Sequence, residues 1–215
     1  NQNLNGKKVK DQELTNNEFT QNQYGMRLGG PIIKNKLFFF LNGEAERRND
    51  PGTTFRANNG SEPSVGNVTR VLASDLNKLT SFLKDSLGYD PGSYQDYSMK
   101  TYSNKALAKI DWNINDRNRF SFRFNYLRSY RDVPISNSGG FNGRRDNLFA
   151  IAFQNSNYKI NNDLYSAIAE LNSTYSNRLS NNIIFGFTAQ RDYRSSPSTV
   201  FPLVDILDGS GGRNY

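Results

Sequence analysis

Residues 106–128 read ALAKIDWNINDRNRFSFRFNYLR, and the rest of the chain is organised around this stretch. Apolar side chains occupy every second position from Ala106 to Ile114, and aromatic ones do so from Phe120 to Tyr126. Because successive side chains of a β-strand point to opposite faces, this period of two predicts two strands. The polar residues 116–118 between them predict a tight turn, so the stretch is expected to form a hairpin with one apolar face. Each arm is about ten residues long, which is the length of a tilted strand that crosses a bilayer.

Two fold classes fit this hairpin. A soluble β-sandwich turns the apolar face of a strand into its core, whereas a membrane β-barrel turns it to lipid. Only 35% of the 215 residues are hydrophobic, yet 13% are aromatic, and the mean hydropathy is −0.75. A membrane barrel is compatible with these values because it needs apolar side chains at only every second strand position and carries large polar loops. No segment approaches the ~20 apolar residues of a membrane helix.

The composition argues against most covalent chemistry. The chain contains no cysteine, so it has no disulfide and no thiolate chemistry. It contains no histidine either, so it lacks the commonest general base and the commonest metal ligand. Its net charge is +7, but the basic residues are scattered among Asn, Ser and Asp, which does not favour nucleic-acid binding. No catalytic group of residues stands out, and we expect a protein that is not an enzyme and binds no cofactor or metal.

The same period of two predicts further strands along the chain. Hairpins are expected at residues 19–48, 106–128 and 148–193, and loops at 1–18, 49–105 and 194–215. Apolar residues at helical spacing predict a helix over residues 68–87 within the second loop, with Asn67 as its N-cap and Gly88 as its end. Within the third hairpin, Phe149, Ile151 and Phe153 are expected to start a strand. Residues 148–176 form either one long strand or two strands that turn at residues 161–163.

The connections between these strands alternate between short and long. Short turns are predicted at residues 34–36, 116–118 and 177–180, whereas residues 49–103, 130–147 and the final segment are long. Short periplasmic turns that alternate with longer extracellular loops are typical of outer-membrane barrels. We therefore predict an all-β fold, in which about six antiparallel strands form a segment of a large transmembrane β-barrel with long extracellular loops, one of which carries a helix.

Strand parity divides the side chains into two faces. One set is predicted to face lipid or to form the aromatic girdles at the membrane interfaces: Tyr24, Phe39, Trp112, Phe120, Phe122, Phe124, Tyr126, Tyr175, Phe185 and Phe187. The other set is predicted to face the barrel lumen, or a plug inside it: Arg27, Glu44, Glu46, Lys109, Asp111, Arg123, Glu170, Gln190 and Asp192.

Residues 19–48, FTQNQYGMRLGGPIIKNKLFFFLNGEAERR, resemble the early barrel of TonB-dependent outer-membrane receptors, and most of all the Oar-like receptors of Bacteroidota. Residues 106–125 and NNIIFGFTAQRDYR at 181–194 are similar to the same family. The resemblance implies a 22-stranded plugged barrel, a plug domain that lies outside this chain, and energy supplied by TonB. It also implies the outer membrane of a Gram-negative, Bacteroidota-like cell as the location.

The ends of the chain agree with this resemblance. The chain begins at Asn1 without a signal-peptide pattern and ends after a loop, so we expect it to be an internal piece of a longer protein. The implied function is the movement of a substrate across the outer membrane. Because Oar-like proteins are also associated with protein export and surface assembly, the alternative is a structural or partner-binding subunit of an outer-membrane assembly or secretion complex, which holds its partners on the long loops.

Overall fold

The computed structural model describes residues 8–9, 12–13, 18–137 and 144–206. The predictions for the rest of loop 1–18, for the centre of loop 130–147 and for residues 207–215 lie outside the described residues. The described strands are β1 (Lys8–Val9), β2 (Gln12–Glu13), β3 (Thr20–Ile33), β4 (Leu37–Pro51), β5 (Arg56–Asn58), β6 (Val68–Leu72), β7 (Ser98–Asn115), β8 (Asn118–Val133), β9 (Tyr158–Ser176) and β10 (Leu179–Ser195). One α-helix, α1, spans Ala73–Leu87.

The main sheet is antiparallel and contains six strands in the order β10-β9-β8-β7-β4-β3. Strands β3 and β10 form its two edges, so the sheet is open. The turns β3–β4, β7–β8 and β9–β10 are short and lie at one end, whereas the two long connections lie at the other. This confirms the prediction of an all-β segment of about six antiparallel strands.

The strands extend well beyond the predicted apolar stretches. β7 has 18 residues and β8 has 16, against the ten or so expected for each. The added residues lie at the ends near the long loops, where Thr101 still pairs with Arg131 and Pro51 with Ser98. Backbone pairing does not depend on side-chain polarity, so the ladder continues after the apolar alternation has ended.

The predicted helix over residues 68–87 is wrong at its start. Val68–Leu72 form β6, which pairs in parallel with β5, and the helix begins at Ala73. The β-branched residues Val68, Thr69 and Val71 favour an extended backbone, and Thr69 is fully buried in this pair. Leu72, not Asn67, is the N-cap. The predicted end is correct: Gly88 has φ 62°, and its N–H reaches the carbonyl of Lys84.

The prediction that Phe149, Ile151 and Phe153 start a strand is also wrong. These residues have no regular structure and precede a short 3-10 turn at Gln154–Ser156. Strand β9 begins at Tyr158 and runs without interruption through Asn161 to Asp163. Of the two alternatives, one strand is therefore correct, and its extension beyond the apolar part is polar.

Buried apolar side chains lie in the loops and not in the sheet. Those described with very low exposure are Ala57, Val68, Leu76 and Ala150. All four belong to the two long connections, residues 52–97 and 134–157, and we call the described parts of these connections the loop layer. The apolar side chains of the sheet are partly or largely exposed, the latter as with Phe185 at 73% and Met26 at 77%. In the part of the chain that the structure describes, no helix is long and apolar enough to cross a membrane.

Candidate functional site: the two faces of the main sheet

The register of the sheet places the predicted lipid-facing residues together. Phe39 pairs with Ile110, Ile110 with Phe122, Phe122 with Ala169, and Ala169 with Phe185. Residues that pair across strands share a face, and residues two apart along a strand do so as well. All ten predicted residues follow this parity, including Tyr24 beside Ala45 and Tyr175 near the β9–β10 turn. We call this side of the sheet the apolar face.

The apolar face contains a band of four successive cross-strand rows without a charged residue. Across β4, β7, β8, β9 and β10 the rows are Leu37–Trp112–Phe120–Leu171–Ile183, Phe39–Ile110–Phe122–Ala169–Phe185, Leu41–Ala108–Phe124–Ala167–Phe187 and Gly43–Ala106–Tyr126–Tyr165–Ala189. Four rows at about 6.8 Å each span ~27 Å along a strand, or ~20 Å in height at a tilt of ~40°. That height is close to the ~25 Å apolar band of outer-membrane barrels.

The nine predicted lumen-facing residues lie together on the opposite side, the polar face. Lys109 pairs with Arg123, and Ser121 pairs with Glu170, which places these residues near one another. Arg27 lies opposite Asn42, and Asn42 shares its side of β4 with Glu44 and Glu46. Gln190 and Asp192 have the same parity on β10. The structure thus brings all nine onto one face, while their exposure to the lumen stays a prediction.

Polar contacts connect the side chains of the polar face. Lys105 Nζ lies 3.7 Å from Glu44 Oε2, and Lys109 Nζ lies 2.8 Å from Asp111 Oδ1. The amide of Asn182 donates to Glu170 Oε1 at 2.7 Å, and that of Gln190 donates to Asp192 Oδ2 at 2.7 Å. Such half-exposed pairs stabilise the fold little when they are solvated. They do provide donors and acceptors that a polar domain inside a barrel could contact.

Beyond the band, towards the long loops, the apolar face changes character. Three further rows follow, which we call the cationic rows: Ala45–Asn104–Arg128–Asp163–Arg191, Arg47–Tyr102–Tyr130–Asn161–Tyr193 and Asn49–Lys100–Asp132–Lys159–Ser195. Strand parity in the sequence predicts Tyr126 as a lipid-facing or girdle residue, but the cations beyond it were not predicted. The cations lie at the same alternating positions, two to six residues beyond the end of each apolar run, so the sequence pattern could have identified them. Only the register of the sheet shows that they form rows.

The loop layer has its own polar centre around Asn157. Its side chain accepts the Ile135 N–H at 3.0 Å and donates to the Tyr97 hydroxyl at 3.2 Å. Nearby, Asp146 accepts the Ala152 N–H at 2.7 Å. Burial in the loop layer raises the pKa of the Asp146 carboxyl above its ordinary value, and the hydrogen bonds that it accepts oppose this effect only in part.

The loops show no metal-ligand cluster in the described ranges. There, no three acidic side chains come together as a metal ligand set. Aromatic side chains pack against one another in the loops. The ring of Tyr89 stacks on that of Phe201 with centroids 4.0 Å apart, and the ring of Tyr94 contacts that of Phe153 edge-on with centroids 6.0 Å apart.

An open antiparallel sheet with an uncharged band of membrane height, short turns at one end and folded loops at the other defines a segment of a membrane β-barrel. Residues 1–211 match the family described as Outer membrane beta barrel domain. The match covers nearly the whole chain, so the chain belongs to this family, and its location is the outer membrane. A search of curated proteins found no match, and a search of solved structures found none either.

Proposed function

We propose that the chain is part of the barrel of a TonB-dependent, Oar-like receptor that moves a substrate across the outer membrane of a Bacteroidota-like cell. In this proposal residues 1–215 belong to one barrel domain, the polar face lines the lumen, and a plug from elsewhere in the protein packs against it. TonB supplies energy from the periplasm, and the barrel carries out no covalent chemistry. The resemblance of residues 19–48 to early barrel strands of these receptors supports it.

The observation that carries the proposal is the polar face. Its charged and amide side chains cover the sheet from Arg27 on β3 to Asp192 on β10 and keep contact with one another across strands. A barrel whose interior is filled by its own side chains has no need of so many ionised groups, because burying them is costly. A water-filled lumen with a polar plug accommodates them.

Energy-dependent movement of a plug can be measured at single cysteines, because these 215 residues contain none. In the full-length protein in cells, Arg123→Cys places a thiol on the polar face, and Phe124→Cys places one on the apolar face as a control. We expect a membrane-impermeant maleimide to label the thiol at position 123 at a rate that falls when TonB is deleted or the proton gradient is collapsed. Labelling at position 124 should be low in both states.

An alternative role as a scaffold is favoured by the loop layer. Its buried residues Ala57, Val68, Leu76 and Ala150 give the long connections a small hydrophobic core. Loops with a core of their own can present a fixed surface to a bound partner. A permanently bound partner on the loops would make labelling at position 123 independent of TonB. Co-purification of one stoichiometric partner, lost when residues 60–90 are deleted, would support this role over transport.

A further inference from the structure

The cationic rows carry an excess of positive charge that the polar face at the same height does not. Over residues 44–50, 99–105, 127–133, 158–164 and 190–195 of the five strands from β4 to β10, the apolar face has five cations and two carboxylates. The five cations are Arg47, Lys100, Arg128, Lys159 and Arg191. The polar face of the same segments has four of each sign. The excess is therefore specific to the apolar side and does not simply reflect the net charge of the chain.

The position of these cations is as specific as their number. The first of them, Arg128 and Arg191, lie one row beyond Tyr126 and Tyr165, whose rings are 5.5 Å apart at the edge of the apolar band. In a membrane barrel this height is the interface on the side of the long loops, where apolar chains give way to headgroups.

Tyrosine rings hold several of the cations in place. The Arg47 guanidinium lies 5.1 Å from the centre of the Tyr102 ring, and Lys159 Nζ lies 4.1 Å from that of Tyr130. Arg191 lies 4.8 Å from the Tyr193 ring centre. Tyrosine is an amphipathic residue that favours this interface, and the pairing keeps the charges near the sheet surface instead of extended into water.

Two clefts lie on this surface, one above the other. The lower one, of about 310 Å³, is lined by Tyr102, Tyr126 and Arg128 among others. The upper one, of about 320 Å³, is lined by Lys100, Asp132 and Lys159 and by Tyr97 of the loop layer. Together they provide a concave, cation-bearing surface that continues directly from the uncharged band.

We propose that the cationic rows bind the phosphate-bearing headgroup of a membrane lipid, whose acyl chains lie along the apolar band below. Arginine and lysine are the residues that bind phosphate, and basic residues at a membrane surface attract anionic lipids. A free anion would make no contact with the adjoining apolar band, and a plug would contact the polar face, so neither accounts for cations on the apolar face as well as a lipid does. The proposal rests on the apolar face being the lipid face, and it is independent of substrate transport.

The test compares two triple variants of the full-length protein in a neutral detergent. Arg47→Gln with Arg128→Gln and Arg191→Gln removes three cations from the cationic rows. Arg48→Gln with Arg131→Gln and Arg194→Gln removes three from the polar face of the same strands, at nearly the same height. Each triple breaks one arginine–aspartate pair, Arg128–Asp163 in the first and Arg48–Asp50 in the second. Heat-modifiable gel mobility checks that both barrels have folded.

The probe is lipid A, a sugar lipid that carries phosphate, and binding is counted by native mass spectrometry and titrated by fluorescence. We expect the wild-type protein and the polar-face triple to bind it alike, and the cationic-row triple to bind it at least about tenfold more weakly, since each cation contributes roughly fivefold. If the triple does not fold, Arg191→Gln on the edge strand, against Arg194→Gln, should show about a fivefold loss.

Four results would overturn the proposal. Equal wild-type affinity for dephosphorylated lipid A would remove phosphate recognition. Full displacement by inorganic phosphate would indicate a site for free anions and not for a lipid. Equal binding by the wild type and the cationic-row triple would exclude the named cations. A loss in the polar-face triple alone would show that the two faces are assigned the wrong way round, a failure that leaves energy-dependent transport to be judged by the cysteine labelling above.

Discussion

Phe122→Arg tests which face of the sheet meets lipid. Phe122 lies in the second of the four uncharged rows, between Ile110 on β7 and Ala169 on β9. With rows about 5 Å apart in height, it is ~3 Å from the middle of the band. An arginine that faces lipid near the midplane costs about 2–4 kcal/mol. This corresponds to a ~30- to 1,000-fold shift of the folding equilibrium towards the unfolded chain.

The assay is folding of the full-length protein into lipid vesicles along a urea series, followed by heat-modifiable mobility on gels. Two variants serve as controls on the same strand. Tyr126→Arg makes a similar change four residues along, at the edge of the band, where the cost falls to about 0–1 kcal/mol. Arg123→Ala alters the polar face and should fold like the wild type. We therefore expect Phe122→Arg alone to shift the urea midpoint strongly.

The reasoning fails if Arg123→Ala prevents folding while Phe122→Arg has no effect, because the apolar face would then belong to a water-excluding protein core. An equal loss in Phe122→Arg and Tyr126→Arg would contradict the height of the band, since depth and not face determines the difference between them.

Three other perturbations test the loop layer and the sheet edges. Gly52→Ala would overlap the Tyr97 ring, so it should destabilise the loop layer by about 1–3 kcal/mol, measured by hydrogen exchange, and the added change Tyr97→Ala should recover part of the loss. The folded-state pKa of Asp146 is raised, so the free energy required to open the loop layer should fall as the pH rises from about 3.9 through that pKa. Hydrogen exchange of the Ala152 amide, corrected for intrinsic rates, measures this free energy. Asp146→Asn should abolish its dependence on pH. The isolated 215-residue chain should associate through the open edges β3 and β10, and a monomer that unfolds cooperatively in detergent-free buffer would contradict this.

The faces of the sheet could be predicted from the sequence because they depend on local parity alone. Alternation alone predicts that Phe122 and Arg123 lie on opposite sides, and the paired strands keep that division. The same holds for Gly88, where a left-handed backbone after an apolar helical run favours glycine.

The errors lie where tertiary contacts override local pattern. Val68–Leu72 are compatible with a helix by their apolar spacing and with a strand by their β-branched side chains. Pairing with the parallel strand β5 stabilises the strand. Phe149 lies in an alternating stretch, yet its backbone N–H donates to the Asn147 side chain, and the Arg70 N–H donates to the Leu148 carbonyl. Arg70 is distant in sequence, so its contact with Leu148 cannot be predicted from the local pattern, and the stretch could not be distinguished from a strand.

The loop layer buries its apolar side chains within the protein, whereas the apolar band of the sheet needs surrounding hydrocarbon. The loop layer excludes water from Leu76 and Ala150 by itself, whereas the apolar band exposes side chains such as Phe185 and Phe187 on the edge strand β10. Hydrocarbon around the band removes that exposure to water without any further protein, but it offers no partner for the unpaired backbone groups of β3 and β10, each of which costs several kcal/mol in lipid. The band therefore requires the membrane, and the edges require further strands, which is why the sheet becomes a stable unit only as part of a closed barrel.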